Sequence, residues 1–381
     1  MYRIAIVGAG GVGGFFGGRL AASAAKSDIE VIFLLREGGH ANAIMNNGLQ
    51  VDSDAVPSFC VPCKVATCAS DVGECDAVIV CVKAYSLDEV APTLKPLLRS
   101  GEAPTIVLPL LNGIGHFPVL SGTLGAEHVI GGLCKVFAWI DRPGCIMQRG
   151  ANHDITFGEL DGSVSARIEK LASIFSAAEI PHTVPAAEAG GVRTAMWDKF
   201  AAICALSGVG AITRATLGEI LSEPRTLMLF EQVLSEGYRV GTAHGAQGLD
   251  AGKVDKLVSY LKTLPGSGTA SMQRDMLAGK VSELHAQLGA MVEHANVRGV
   301  AVPAIELVYA ALLPQERVAE ARAGAWTRAK DAARGSKLVV SSTAWRRLVL
   351  VLGSSAAVVI GLALSRRLVP RPLSSGLVPR L

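Results

Sequence analysis

A β-like apolar run, Ile4-Ala5-Ile6-Val7, leads directly into Gly8-Ala9-Gly10-Gly11-Val12-Gly13. No other feature restricts the fold as much. Strand, tight glycine turn and helix in succession make a phosphate cradle. The glycines let the backbone turn sharply and approach a pyrophosphate, whose charge rests on the N-terminus of the next helix. Gly8, Ala9, Gly10, Gly11, Val12 and Gly13 are therefore candidate dinucleotide-binding residues. The next strand, Glu30 to Leu35, ends at Arg36, 23 residues after Gly13. A carboxylate there would take the ribose hydroxyls of NAD(H). A guanidinium suits a 2′-phosphate, so the cofactor indicated is NADP(H).

The same alternation continues. Strands are expected at Arg3–Val7, Glu30–Leu35, Ala77–Val82, Thr105–Leu108 and His128–Gly131, with helices after Gly13 and from Ser86 to Leu98. This order predicts an α/β, doubly wound parallel sheet of the Rossmann type over residues 1–186. Gln50–Val51, Cys60–Val65 and Cys145–Phe157 read as short additional strands. From Ala187 to Gln315 the pattern turns helical, with segments at Glu188–Leu206, Leu217–Ser222, Pro224–His244, Ala251–Leu261, Thr269–Asn296 and Pro303–Leu313. An all-α domain is thus expected over 187–315, then a polar basic connector over 316–347.

Half of the 381 residues are apolar and 18% are charged, with a formal net charge of +3. So small a charge gives no case for nucleic acid, and no nucleic-acid-binding motif is present. Cys60, Cys63, Cys68 and Cys75 cluster, but their spacing does not make paired CxxC ligands and no histidine lies between Cys60 and Cys81. They read as free thiols, and no metal is expected. Leu348 to Ser365 is an uncharged stretch of 18 residues between Arg346-Arg347 and Arg366-Arg367. Its length and flanks suit a transmembrane anchor over 348–365 with a tail over 366–381, leaving a catalytic body in the cytoplasm.

Ligands of an open α/β sheet bind beyond the carboxyl ends of its strands. Two such ends deliver polar residues: Lys83 after Ala77–Val82, and Asn112 after Thr105–Leu108. Lys199, in Trp197-Asp198-Lys199, is a lysine on an otherwise apolar helix. Ser271 and Glu283 lie twelve residues apart in the stretch from Thr269, where both could face one cleft. Taken singly, Lys83 also reads as a solvated strand-end lysine, Asn112-Gly113 as a turn, Lys199 as an exposed, snorkelling lysine and Glu283 as a surface residue.

In this order, the glycine run, Arg36, Val82-Lys83-Ala84, Leu111-Asn112-Gly113, Trp197-x-Lys199, Ser271-Met272-x-x-Asp275 with Glu283, and Gly299-Val300-Ala301-Val302-Pro303 resemble the ketopantoate reductase (2-dehydropantoate 2-reductase) family over residues 2 to 315. The resemblance implies an NADP-dependent oxidoreductase of pantothenate biosynthesis that reduces a 2-oxo acid to a 2-hydroxy acid, with cofactor and substrate between a Rossmann and a helical domain. It implies that Gly8, Gly10 and Gly13 hold the pyrophosphate and Arg36 the 2′-phosphate. Lys83, Asn112, Ala138 and Glu283 would lie near the nicotinamide, Lys199 would donate the proton, and Ser271 would contact the substrate carboxylate. A homodimer is compatible with it. Asparagines that the family commonly carries beyond the lysine fall, aligned without gaps, at Ile203, Ser207 and Leu217. The pocket is therefore greasier, and a more apolar ketone than ketopantoate suits it. Two other readings of the chain are a membrane-tethered NADP(H)-binding sensor or scaffold without turnover, and an opine-type dehydrogenase.

Overall fold

Strand segments that are apolar at every position need burial on both faces, which a parallel sheet covered by helices provides. The computed structural model describes residues 1–24, 27–101 and 103–335. Its first half contains β1 (Tyr2–Val7), α1 (Gly11–Ser23), β2 (Ile29–Leu34), α2 (Gly39–Asn47), β3 (Leu49–Ser53), β4 (Phe59–Val61), β5 (Lys64–Ala66), α3 (Ala69–Val72) and β6 (Ala77–Val80). There follow α4 (Leu87–Val90), β7 (Ile106–Pro109), α5 (His116–Leu124), β8 (Gly131–Arg142), β9 (Cys145–Gly158), α6 (Ala166–Ala177) and β10 (His182–Thr183).

Five strands pair in the order β5-β2-β1-β6-β7, all parallel. The chain winds outward from β1 to one edge and returns through β6 to the other. The winding reverses between β1 and β6, which opens a crevice beyond their carboxyl ends. Successive side chains leave a strand on opposite faces. Accordingly Ile4 and Ile6 join Phe15, Phe16 and Phe33 in one buried cluster, while Ala5 and Val7 join Val78, Val80 and Leu94 in the other.

The second half is helical: α7 (Gly191–Thr213), α8 (Leu217–Ser222), α9 (Pro224–Ala243), α10 (Ala251–Leu261), α11 (Ser271–Leu277), α12 (Ala290–Arg298) and α13 (Pro303–Gly335). α7 is the central element, packed on α9, α11 and β8. Glycines on α9 allow this: a Cβ at Gly237 would lie 2.7 Å from that of Ala201, and one at Gly241 3.1 Å from that of Trp197. The stretch Ala187–Thr213 is long and apolar enough to cross a membrane, but most of it is packed inside the protein. Residues Met1–Ala321 make one compact unit.

Several sequence expectations change. Ser86–Leu98 is a broken series, two 3-10 turns around α4, because Pro92 and Pro96 interrupt the hydrogen-bond ladder. The expected strand Cys60–Val65 divides, β4 joining a second sheet and β5 the edge of the first. Of the expected strand His128–Gly131, Val129 forms a bridge to Val107 and Gly131 opens β8. β8, one of the longest strands, was not expected; it forms an antiparallel hairpin with β9 in the second sheet. α6 was not expected either. Thr269–Asn296 is not one helix. α11 stops at Leu277, Gly279 takes φ +65°, and the chain resumes in a π-turn at His285–Gly289 that leads into α12. α13 runs on to Gly335, through residues 316–335 of the expected connector, and residues 336–347 lie outside the described residues. The candidate anchor 348–365 and the tail 366–381 lie outside the described residues.

Candidate active site

The glycine turn is shaped by what it must approach. Gly8, with φ +89°, follows β1, and its N–H donates to the Leu34 carbonyl at 3.1 Å. A Cβ there would stand 3.3 Å from both the Cys81 carbonyl and Val82 Cγ1. A Cβ at Gly13 would press on Cys81 Cβ at 2.9 Å and collide with the Gly8 carbonyl. Both glycines thus let α1 sit hard against the ends of β1 and β6. Gly10 caps α1 without a side chain and has open space beside it, and the first turn carries no acidic residue. The first-turn amides have no intrahelical acceptor and lie at the positive end of the helix dipole. Such a cradle fits a dinucleotide pyrophosphate.

Two neighbours complete the turn. A Cβ at Gly11 would collide with the Ala138 carbonyl, so β8 crosses directly over the turn at that residue. His40 donates from Nε2 to the Ala9 carbonyl at 2.8 Å and accepts the Gly144 N–H on Nδ1 at 3.1 Å. A carbonyl can only accept, so the pattern selects the Nε2–H tautomer. Val12 is half-buried. Arg36 is exposed just past buried Leu35, and among the described residues it makes no ion pair.

Beyond the strand ends, four expected residues meet in one polar chain. Lys199 Nζ, on α7, donates to Asn112 Oδ1 at 3.2 Å. Asn112 Nδ2 donates to Glu283 Oε2 across a long 3.5 Å. Lys83 Nζ donates to Glu283 Oε2 at 3.4 Å and to Asp275 Oδ2 at 3.2 Å. Glu283 is only 4% exposed, and Lys83 and Asn112 satisfy its buried charge. Its position comes from the break after α11: the Ser282 N–H and hydroxyl donate to the buried Glu316 carboxylate at 2.8 and 2.6 Å, anchoring the loop that carries Glu283.

The two lysines are tuned in opposite directions. Burial draws the Lys199 pKa below the ordinary lysine value, with Cys134 and Glu283 opposing the shift. At Lys83 burial acts the same way, but Glu283 and Asp275 outweigh it and the pKa rises. His116, first residue of α5, is buried with neither ring nitrogen hydrogen-bonded. Burial, helped by the Lys199 charge, pushes its pKa down to about 3, so this imidazole is neutral beside the lysine.

Ile203 and Ser207 follow Lys199 by one and two helical turns on α7, half-buried and buried respectively, which puts all three on one helix face. Ser271, half-buried, opens α11. Leu217 sits elsewhere, at the start of α8, lining a groove with Leu221, Leu261 and Leu264. His40 carries no signal in the sequence, and Asp275 stands in the Ser271-Met272-x-x-Asp275 motif without a role of its own, because the partners of both are distant in sequence.

Gly113 fixes the distance between Asn112 and the Glu283 segment. It has φ +87°, and a Cβ there would lie 2.7 Å from the Ala286 carbonyl. Gly113→Ala is expected to cost about 2 kcal/mol or more, from left-handed strain plus the backbone contact. It should also displace Asn112 and lower turnover. Thermal melts and initial rates check this; an unchanged melting temperature would count against it.

The family description "Ketopantoate reductase PanE/ApbA" matches residues 4–162, and "Ketopantoate reductase PanE/ApbA C terminal" matches residues 191–316. An uncharacterized oxidoreductase of Bacillus subtilis, YkpB, is 29% identical over 310 residues, covering 81% of this chain and 97% of its own. The 2-dehydropantoate 2-reductase of Halobacterium salinarum is 28% identical over 304 residues, covering 80% and 95%. Among solved structures, a 2-dehydropantoate 2-reductase from Geobacter metallireducens superposes with a TM-score of 0.73 at 28% identity, covering 82% of this chain and 99% of that one.

Proposed function

This chain belongs to the ketopantoate reductase family, and on that premise we propose that it reduces a 2-oxo acid to a 2-hydroxy acid with NADPH, Lys199 donating the proton. The chain is accordingly an oxidoreductase of the 2-dehydropantoate 2-reductase type. The observation that carries the proposal is the half-buried Lys199 ammonium, held on Asn112 and linked through it to Glu283 beyond the strand ends. In this reading residues 1–186 hold the cofactor and 187–315 supply the proton donor and the substrate contacts.

The backbone of Gly8, Ala9, Gly10, Gly11, Val12 and Gly13 would hold the pyrophosphate, and Arg36 the 2′-phosphate. Lys83, Asn112, Ala138 and Glu283 would border the nicotinamide end. Bound there, NADPH supplies the hydride. As the ketone is reduced, negative charge grows on its oxygen; Lys199 Nζ stabilises that charge and passes its proton to the oxygen. Asn112 Oδ1 aims the ammonium, and Glu283 tempers the fall in lysine basicity that burial causes. Lys199, Ile203, Ser207 and Ser271 would contact the substrate. Ile203 in place of an amide favours an apolar substituent near the reacting carbon.

The test is NADPH oxidation with ketopantoate and a panel of 2-oxo acids across pH. Turnover is expected, and it requires Lys199 to be protonated as the acid. The rate should fall as pH rises through a value below the free-lysine pKa of about 10.4. Tight NADPH binding with no turnover of any 2-oxo acid would sink the proposal.

A further inference from the structure

Two large aromatic side chains are left open on β8. Along this strand Val136 and Ala138 pack against the sheet core, so Lys135, Phe137 and Trp139 face the other way. Phe137 is 44% exposed and Trp139 38%, and their rings lie 5.0 Å apart at a 54° tilt. Exposed aromatics in adjacent same-face positions are costly to leave in water and suit a flat ligand.

The pair has a wall opposite. The Arg274 guanidinium carbon, on α11, lies 4.9 Å from the Phe137 ring centroid. Nη1 of Arg274 donates to the Thr269 hydroxyl at 3.1 Å and also to the Thr269 carbonyl. Held in this way, the guanidinium makes no ion pair with a carboxylate among the described residues, while its planar fork suits one.

Both walls adjoin, along the chain, residues that belong to or act on the polar chain that ends at Lys199. Arg274 follows Ser271 by one helical turn, so the two share a face of α11. Its neighbour Asp275 binds Lys83, which binds Glu283. On the other wall, Lys135, two residues before Phe137, is among the charges that act on Lys199. Ala138, between the two aromatics, lies over the glycine turn.

We propose that Arg274, Phe137 and Trp139 form the substrate-selecting subsite of this enzyme, the guanidinium joining Ser271, one helical turn away on α11, on the carboxylate of a 2-oxo acid and the two rings taking a flat aryl substituent. The subsite rests on the 2-oxo acid reductase reading above. It also gives the greasier pocket expected from Ile203 a particular substrate class, aryl 2-oxo acids over short alkyl ones.

Initial rates of NADPH oxidation with phenylpyruvate and with pyruvate test it. In the wild type kcat/KM is expected to favour phenylpyruvate by about tenfold or more, the scale on which an apolar site discriminates. Phe137→Ala and Trp139→Ala should bring that ratio toward one. Arg274→Met should raise KM for both acids by about tenfold or more with a smaller change in kcat, the signature of a lost carboxylate contact. Quenching of tryptophan fluorescence by phenyllactate in the NADP+ complex, lost in Trp139→Ala, gives a readout independent of turnover. A wild-type ratio near one, or a ratio unmoved in both aromatic variants, overturns the subsite. If the wild type still reduces pyruvate and Lys199→Ala does not, the reductase reading survives that failure. Absence of turnover with every 2-oxo acid overturns both.

Discussion

Lys199→Ala loses at least about a hundredfold in turnover while NADPH still binds, the scale expected for removing a positioned general acid. The size of the loss follows from the surroundings. Nζ is held at 3.2 Å by Asn112, and no other ammonium hydrogen-bonds to that amide among the described residues. Lys83 is engaged by Asp275 and Glu283, and its pKa is raised, so it is a poor substitute donor. Water entering the space left by the side chain would be a far weaker acid than an ammonium. Stopped-flow turnover alongside an NADPH fluorescence titration separates the effects. Equal turnover in wild type and variant would remove Lys199 from the mechanism, and loss of NADPH binding would indicate a structural role instead.

Arg36→Asp weakens NADPH by about a hundredfold and NADH far less. A charge-assisted contact to phosphate is replaced by repulsion between a carboxylate and a dianion. Arg36 is exposed and without an ion-pair partner among the described residues, so its replacement should disturb no internal contact and the fold should be preserved. Exposure also means that salt screens the interaction, so the wild-type preference for NADPH should shrink as ionic strength rises. Titrating both cofactors at low and high salt checks this. A preference for NADPH that survives the substitution would refute the phosphate assignment.

Much of the fold was legible because its signals are local. α8 and α10 occupy the expected residues, and their starts explain why. Thr216 and Glu219 form a reciprocal capping box, with the Thr216 N–H donating to Glu219 at 2.7 Å, and Asp250 accepts the Lys253 N–H at 3.0 Å. The strand–turn–helix at Gly8–Gly13 is equally local. β8 was missed because Lys135-Val136-Phe137-Ala138-Trp139 does not alternate polar with apolar residues; its outward face carries rings as its inward face carries Val and Ala. The break after α11 was missed because the apolar spacing of a helix continues across it, and Gly279 alone is a weak stop signal.

By itself, then, the sequence determined a dinucleotide turn, a strand-end arginine suited to a phosphate, and an ordered set of lysines, asparagine, serine and glutamate. Periodicity, glycine stereochemistry and caps act over a few residues, so these could be read without coordinates. The meeting of Lys83 with Glu283, 200 residues apart, was decided only by the tertiary structure, as were the hold of Asn112 on Lys199 and the stacking of Arg274 on Phe137. Such contacts depend on where the ends of β6 and β7, α7 and the loop after α11 converge, and that convergence follows from burying a sheet and a helical core together. The opposite tuning of the two lysines has the same origin, since burial and neighbouring charge exist only once those elements are packed.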